Sequence, residues 1–368
     1  MKIYIKSPGR VNLIGEHTDY NGGFVLPCAL DLSIELYFEK KLNESHVNTD
    51  LGYSMNFNVS TPYQKSNNHW ENYILGVINE LKQIKTELIN FSCIIKSSLP
   101  SGAGISSSSA LVCGLIKGLA ELNAIDLNNA EIINLSRNVE HKYIGLLGGI
   151  MDQFTILNAR KNMAIFLDCK NLKSKFIKIN FKEFKLLLLD TNVKHNLANT
   201  EYNKRVSECK KSINVINDFC NKNYSNLSEV KDIDLKLSKN ELGETLYRRV
   251  SYILNENQRV VKSVNFLENN KLQEFGQLMY QSHLGLKNDY EVSCDELDYL
   301  VEYTMKFDGI YGSRMMGGGF GGCTINLIKE SLVKKFVEEA EKEYFFKFKR
   351  KLNPIVANLD QGIQMSLI

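Results

Sequence analysis

The stretch at residues 99–120, LPSGAGISSSSALVCGLIKGLA, most constrains what this chain can fold into. The segment before it, FSCIIKSS at residues 91–98, roughly alternates apolar and polar residues and predicts a partly buried strand. The segment after it is too apolar for a solvated helix. A strand, a tight loop and a buried helix in this order expose unpaired backbone N–H groups at the helix start, and such a terminus attracts anions.

The loop alone leaves two interpretations open. Its serine hydroxyls can donate to a phosphate or offer an oxygen ligand to Mg²⁺. The alternative is a capped helix after a flexible turn, because the loop lacks the lysine of the GxxxxGK[ST] motif.

Composition narrows the class of protein. At 368 residues the chain is long enough for two domains, and a net charge of +3 gives no nucleic-acid footprint. The eight cysteines form no CxxC pair, which favours free thiols in a reducing compartment. The first residues contain no apolar signal region, and no apolar run reaches membrane-spanning length. We therefore expect a cytoplasmic protein with neither a membrane nor a nucleic acid as partner.

A second polar cluster lies at residues 9–27, GRVNLIGEHTDYNGGFVLP, after a strand predicted at residues 2–7. Arg10, Glu16, His17 and Asp19 lie close together among apolar residues and before a turn. A metal site, a sugar site and a plain polar loop all remain open. A metal would usually need more His or Cys ligands, whereas carboxylates accept hydroxyl hydrogen bonds from a polyol.

The middle of the chain gives further expectations. Residues 43–50 are predicted to form a surface loop, and residues 127–147 a helix capped by Asn128 or Asn129 and stopped by Gly148-Gly149. Position alone predicts that Glu140 on this helix faces solvent. Asp152 lies among apolar residues, so it is expected to be either partnered or functional.

A second glycine-rich loop, MMGGGFGG at residues 315–322, follows much later. So many glycines cost conformational entropy, which favours close backbone approach to a ligand or to the first loop. A wide hairpin turn is the alternative.

Together these stretches resemble the galactokinase family of the superfamily that also holds homoserine, mevalonate and phosphomevalonate kinases. GRVNLIGEHTDYNGG resembles the family's sugar motif, LPSGAGISSSSA the superfamily's phosphate loop and MMGGGFGG its third glycine-rich motif. Shorter matches cover nearly the whole chain: WENYILGV, GGIMDQF, LDC, TNVKHNLANTEYNKR and SHLGLKNDYEVSCDELD.

The resemblance implies an α+β fold of two mixed α/β domains with the active site in the cleft between them. The first, at residues 1–180, would be ribosomal-protein-like, and the second, at residues 181–368, ferredoxin-like. The implied reaction moves the γ-phosphoryl of ATP to the C1 hydroxyl of α-D-galactose, with Mg²⁺ as cofactor. The product, galactose 1-phosphate, would open galactose catabolism. We expect a monomer, with a dimer as the alternative.

The resemblance also assigns residue roles. Asp152 and Arg10 would form the catalytic pair, with Asp152 acting either as a base or as an orienting group. The sugar ligands would be Glu16, His17, Thr18, Asp19, Gly149 and Tyr202. The ATP-binding residues would be Gly102, Ala103, Gly104, Ile105, Ser106, Ser107 and Ser108, with Trp70 and Tyr73 at the adenine. Ser108 and Glu140 would ligate Mg²⁺.

The chain departs from the common family pattern at Val206, Gly148 and Met316, where Arg, Cys and Thr are usual. Two alternatives remain open. One is a kinase for a related sugar, such as N-acetylgalactosamine or arabinose, since the short sugar motif does not measure the space around the sugar. The other is a non-catalytic galactose and ATP sensor, against which the complete serine loop counts. Homoserine and mevalonate kinases would not need the full GEHTDYNGG.

Overall fold

The computed structural model describes residues 2–100, 102–193 and 198–368. We call residues 99–110, LPSGAGISSSSA, the glycine–serine loop. Residue 101 of this loop and residues 194–197 of the TNVKHNLANTEYNKR stretch lie outside the described residues. Within the described ranges, no helix combines the length and the apolar character that a membrane crossing requires. All eight cysteines are free thiols, which confirms that prediction.

Strands and helices are mixed along the chain. The strands are β1 (Lys2–Asn12), β2 (Phe24–Val25), β3 (Pro27–Lys40), β4 (Ser45–Thr49), β5 (Ser54–Phe57), β6 (Phe91–Ser97), β7 (Met163–Asp168), β8 (Lys173–Lys178), β9 (Phe184–Asp190), β10 (Ile310–Met315), β11 (Cys323–Lys329), β12 (Asn353–Ala357), β13 (Leu359–Asp360) and β14 (Gln364–Leu367). The helices are α1 (Glu71–Lys82), α2 (Ser107–Leu122), α3 (Asn129–Asn138), α4 (Met151–Asn158), α5 (Ala198–Cys220), α6 (Asp232–Leu237), α7 (Lys239–Glu268), α8 (Leu272–Asn288), α9 (Asp295–Thr304) and α10 (Val333–Phe348).

Three sheets organise the described residues. The first has the order β14-β1-β3-β6-β4-β5, with β13 also paired to β3, and α2 packs against β1 and β3. The second has the order β10-β11-β9-β12, with α8 against β10, and the third has the order β2-β7-β8. The last two strands return to the first sheet, so the end of the chain joins its beginning. The domain boundary near residue 180 stays a prediction.

Strand β1 is longer than expected. It was predicted to end at Ser7, but it continues through Pro8 and Gly9 to Asn12. The pairing with β3 shifts register between Pro8 and Arg10, which is a β-bulge. A bulge lets a strand accommodate a proline, which has no N–H for the ladder, and it re-aims the side chain that follows. The extension carries Arg10 to the cleft described below.

The prediction of a surface loop at residues 43–50 was wrong, because strand β4 forms there. It pairs in parallel with β6 and antiparallel with β5. Val47 is fully buried in the main core, so tertiary packing stabilises a strand that local composition does not indicate.

The helix predicted at residues 127–147 is divided. Helix α3 starts with the expected Asn128 cap, which forms a capping box with Glu131. A π-helical turn, Val139–Ile144, follows it and ends at Gly145, whose φ of 81° lies in the left-handed region. Glu140 lies in this wide turn and is only 4% exposed, so the expectation that it faces solvent was wrong.

Candidate active site

A cleft of about 330 Å³ collects the polar clusters that the sequence analysis singled out. Its walls come from the end of β1, the glycine–serine loop, the first turn of α4, helix α5 and the loop between β10 and β11. The predicted site residues that line it are Arg10, Glu16, His17, Asp19, Gly102, Gly104, Ser106, Ser107, Ser108, Glu140, Gly149, Asp152 and Tyr202.

Arg10 and Asp152 form a two-pronged ion pair in this cleft. Arg10 Nε donates to Asp152 Oδ1 at 2.6 Å, and Arg10 Nη2 donates to Asp152 Oδ2 at 2.8 Å. The third nitrogen, Nη1, donates to the Gly104 carbonyl at 2.7 Å. Burial opposes the arginine charge, but the Asp152 carboxylate raises the pKa of Arg10 above its usual value. Arg10 therefore stays charged and ties the Asp152 carboxylate to the glycine–serine loop.

Ser106 stands at the N-terminus of α2 in a left-handed conformation, with φ 60°. Its side chain makes no capping hydrogen bond to the helix; the hydroxyl donates to Asp152 Oδ2 instead. The capped-helix interpretation therefore does not hold at Ser106. The first N–H groups of α2 keep their capacity for an anion in the cleft.

Glu140 lies beside this helix and is held by two donors. Ser109 Oγ donates to Glu140 Oε1 at 2.7 Å, and Gln153 Nε2 donates to Oε2 at 2.8 Å. Burial raises the pKa of Glu140 to about 7, although both hydrogen bonds oppose the rise. A buried carboxylate with this raised pKa would be stabilised by a nearby cation.

Glu16 joins residues 9–27, which we call the sugar-motif segment, to the second glycine-rich loop. Its Oε1 accepts from the Gly317 N–H at 2.9 Å and from Arg314 Nη2 at 3.1 Å, and its Oε2 accepts from Asn12 Nδ2 at 3.1 Å. Arg314 is fully buried and also donates to the Leu13 carbonyl at 3.0 Å. The position of Glu16 is therefore fixed from both halves of the chain.

His17 and Asp19 lie in the cleft, and the pKa of each is shifted by its surroundings. Burial and the charge of Arg205 lower the pKa of His17 to about 3, so its ring is neutral. Its buried Nε2 has no well-formed hydrogen bond, although the Gly318 backbone lies close enough to the ring to favour a proton there. Burial and the Asp152 carboxylate raise the pKa of Asp19 to about 6. Both groups would gain from hydroxyl partners.

Gly149 leaves the space that Asp19 fills. A Cβ atom on Gly149 would lie 2.1 Å from Asp19 Oδ2, which no real contact permits. A Cβ on the preceding Gly148 would meet nothing closer than Glu140 Oε2, at 3.7 Å. Only the second of these adjacent glycines is therefore required by packing.

The second glycine-rich loop fits both interpretations of its sequence, the hairpin turn and the close backbone approach to the first loop. It connects β10 to β11 as a hairpin, and it also lies directly against the first loop. A Cβ on Gly317 would lie 3.2 Å from the Gly104 carbonyl oxygen, and φ at Gly317 is +78°. The backbone contact therefore requires glycine at this position.

Five predicted site residues do not line the cleft: Thr18, Ala103, Ile105, Trp70 and Tyr73. The Thr18 hydroxyl lies 2.8 Å from the Gly15 carbonyl and 2.6 Å from the Phe24 carbonyl, so it holds the sugar-motif segment in shape. Ala103 and Ile105 belong to the glycine–serine loop, and their side chains are buried. The roles proposed for these residues stay predictions.

Trp70 and Tyr73 lie at the start of α1. The Trp70 ring packs 5.5 Å from Tyr53, and its buried Nε1 has no hydrogen-bond partner among the described residues. Burial raises the pKa of Tyr73 to about 12, the Glu140 charge adds to the rise, and a hydrogen bond with Ser108 opposes it. Tyr73 therefore bonds to Ser108, one of the two proposed metal ligands, from outside the cleft.

Sequence reasoning missed the residues that hold the sugar-motif segment from the far half of the chain. On α7, Glu256 Oε1 accepts from the Gly15 N–H at 2.9 Å, and Asn257 Oδ1 accepts from the Phe24 N–H at 2.8 Å. Glu256 is fully buried, and Arg259 Nε donates to its Oε2 at 2.6 Å. The signal available in the sequence was a polar Glu-Asn pair within an apolar helical stripe.

Three family models match separate parts of the chain. Residues 2–40 match the galactokinase galactose-binding signature, residues 72–160 the GHMP kinases N terminal domain, and residues 264–345 the GHMP kinases C terminal domain. These ranges contain the sugar-motif segment, the glycine–serine loop with Glu140 and Asp152, and the second glycine-rich loop.

Relatives match over nearly the full length. A galactokinase of Thermosipho africanus is 40% identical over 344 residues, which is 94% of each chain. A galactokinase of Clostridium acetobutylicum is 37% identical over 97% of this chain and 92% of its own.

The fold agrees with these matches. The crystal structure of Lactococcus lactis galactokinase complexed with galactose superposes with a TM-score of 0.91 at 30% identity, covering 99% of this chain and 95% of that one. The expected α+β architecture is therefore confirmed, with GHMP kinase N- and C-terminal domains. The cleft geometry, the matched signatures and the full-length relatives all show that this chain belongs to the galactokinase family.

Proposed function

We propose that this protein transfers the γ-phosphoryl group of ATP to the C1 hydroxyl of α-D-galactose. The observation that carries the proposal is the Arg10–Asp152 ion pair, bonded to the glycine–serine loop through Gly104 and Ser106. It stands where a sugar held by the Glu16–His17–Asp19 cluster would meet a phosphate held at the start of α2.

The sugar would be bound by Asp19, His17 and Tyr202, with Glu16 fixing the shape of the site. Asp19 supports this role because burial and the Asp152 charge raise its pKa even though the backbone N–H groups of Tyr20 and Met151 bond to it, so donors from sugar hydroxyls would stabilise its charged form. His17 Nε2 offers a further polar contact in the cleft. Tyr202 lies against the His17 ring, with centroids 5.4 Å apart, and supplies an apolar wall.

The triphosphate would lie along residues 102–108 at the N-terminus of α2. The helix dipole and the free N–H groups favour negative charge there. Arg10 adds a fixed positive charge on the cleft side of the loop. We propose the adenine near Trp70, whose Nε1 has no hydrogen-bond partner among the described residues.

Asp152 has two candidate roles, base and orienting group, and the contacts favour the second. Three donated hydrogen bonds, two from Arg10 and one from Ser106, occupy its oxygens. One acceptor site remains for the hydrogen of a sugar hydroxyl. Phosphoryl transfer through a loose transition state depends mainly on alignment and charge stabilisation, which a carboxylate held in this way provides.

Glu140 and Ser108 fit the proposed magnesium site. No group of three or more His, Cys, Asp or Glu side chains suited to a metal occurs among the described residues. Mg²⁺ is commonly held by one or two carboxylates together with substrate phosphates, so one buried carboxylate and a hydroxyl are a suitable donor set. When bound, the ion neutralises charge on the transferred phosphate. Glu140 would be held in place for it by Ser109 and Gln153.

Replacing Glu140 with glutamine is expected to raise the Mg²⁺ concentration needed for half-maximal activity by about tenfold or more, because it removes the only charged ligand proposed. Steady-state rates in a magnesium titration at saturating ATP measure this shift. Glu131→Gln is the matched control, since Glu131 is exposed on the neighbouring helix and glutamine preserves its capping box. An unchanged requirement in the Glu140 variant would remove this residue from the metal site.

A panel of sugars with purified protein, ATP and Mg²⁺ tests the substrate class through ADP release. We expect the highest kcat/KM with galactose and lower values with N-acetylgalactosamine and arabinose. Activity on one of those sugars without activity on galactose would favour the related-kinase alternative. Binding of ATP and galactose without ADP release would favour the sensor. We propose the cytoplasm as the compartment and a monomer as the working form.

A further inference from the structure

A line of hydrogen-bonded side chains runs from the sugar-motif segment into the second half of the chain. His17 Nδ1 lies 2.8 Å from the Tyr20 hydroxyl, which lies 2.8 Å from the Tyr290 hydroxyl. The Tyr290 hydroxyl in turn lies 3.1 Å from Cys209 Sγ on α5. We call Tyr20, Tyr290 and Cys209 the tyrosine chain.

The partner of Nδ1 decides what His17 can offer a ligand. A neutral imidazole carries one N–H donor and one acceptor nitrogen. His17 is neutral, and its Nδ1 is already engaged by Tyr20. Nε2 has no well-formed hydrogen bond within the described part of the chain. It is therefore a donor if Tyr20 gives its proton to Nδ1 and an acceptor if Tyr20 takes one.

The far end of the tyrosine chain sets its direction. The Tyr290 hydroxyl has two candidate acceptors, the Tyr20 oxygen and the Cys209 sulfur, and oxygen is the stronger acceptor. Burial raises the pKa of the Cys209 thiol to about 11, so the thiol keeps its proton and can donate it to Tyr290. Tyr290 then donates to Tyr20.

Tyr20, having accepted from Tyr290, has one remaining hydrogen-bond partner for its own proton among the described side chains, which is His17 Nδ1. Every proton in the line is then used, and the imidazole hydrogen is left on Nε2. The ring cannot easily turn over to exchange its nitrogens, because it is enclosed by three tyrosine rings. Their centroids lie 4.9 Å (Tyr290), 5.4 Å (Tyr202) and 5.8 Å (Tyr20) from that of His17.

We propose that the tyrosine chain keeps the proton of His17 on Nε2, so that His17 donates a hydrogen bond to a sugar hydroxyl in the cleft. This inference rests on the proposed function of the cleft as a sugar site. It makes Tyr20 and Tyr290 positioning residues that act through His17. His17 would then donate a hydrogen bond to the sugar, whereas ionised Asp19 can only accept hydrogen bonds from it.

Nitrogen-15 NMR of the neutral imidazoles tests the proton position directly, without any sugar. His17 is assigned by the signal that disappears in a His17→Gln variant. The wild-type protein is expected to show His17 with the hydrogen on Nε2. A hydrogen on Nδ1 would overturn the inference. Because this spectrum is recorded without substrate, it stands apart from any failure of the proposed kinase activity.

Tyr20→Phe and Tyr290→Phe test the consequence for the sugar. Each is expected to mix the two His17 tautomers in the spectrum and to raise the KM for galactose by about tenfold for Tyr20 and less for Tyr290, with kcat changed little. Tyr280→Phe is the matched control, since it also loses one buried hydroxyl contact, at 3.0 Å from Thr304 and outside the cleft lining. Mixed tautomers with an unchanged KM, or an equal KM rise in the control, would overturn the role in binding.

Discussion

Replacing Asp152 with asparagine is expected to lower kcat about 1000-fold while the dissociation constant for galactose changes less than about threefold. The substitution removes the charge that Arg10 holds at 2.6 and 2.8 Å, and it places an amide N–H₂ where an arginine or serine donor now bonds. The variant therefore loses the alignment of the sugar hydroxyl and the ion pair with Arg10 at the same time. Steady-state kinetics and calorimetric titration of galactose measure the two quantities separately.

Asp298→Asn is the matched control for this loss of a paired carboxylate. Asp298 contacts His283 at 3.2 Å and Lys287 at 3.0 Å, and it does not line the cleft. Its variant should lose some stability but keep kcat. A kcat for the Asp152 variant within about threefold of the wild-type value would exclude Asp152 from the catalytic machinery.

Replacing Gly149 with alanine is expected to lower kcat/KM for galactose about 100-fold, mainly through KM. The new methyl would overlap Asp19 Oδ2 and would also lie 2.9 Å from the Tyr20 backbone nitrogen, so the carboxylate that we propose as a sugar ligand must move. Displacements of this size cost about that factor when they misplace a positioning group.

Gly148→Ala is the adjacent control. Its methyl would meet nothing closer than 3.7 Å, so kcat/KM should stay within about threefold of wild type. Thermal melting of both variants separates a local effect from unfolding. Equal kinetics in the two variants would contradict the assigned position of Asp19 in sugar binding.

Local sequence was sufficient for the parts of the site that lie close together along the chain. The polar cluster from Arg10 to Asp19 and the glycine–serine loop before α2 each carry their chemistry in one short stretch. The entropic cost of so many glycines also favoured a close approach of the second glycine-rich loop to a ligand or to the first loop. The structure confirms that contact at Gly104 and Gly317.

Distant contacts and tertiary packing explain what the sequence left out. Arg314 and Glu256 lie about 240 to 300 positions from the residues they hold, and no local pattern encodes such partners. Strand β4 forms because the sheet buries Val47, and the π-helical turn buries Glu140, although both stretches look like surface segments. In each case packing decided the local conformation.

Detection of the product tests the proposed transfer of phosphate from ATP to galactose most directly. Purified protein with ATP, Mg²⁺ and galactose is followed by phosphorus-31 NMR, with the sugar omitted in a parallel sample. We expect galactose 1-phosphate and ADP in equal amounts, and neither product without the sugar. A protein that binds both ATP and galactose yet forms no phosphorylated galactose, or that releases ADP regardless of sugar, would contradict it.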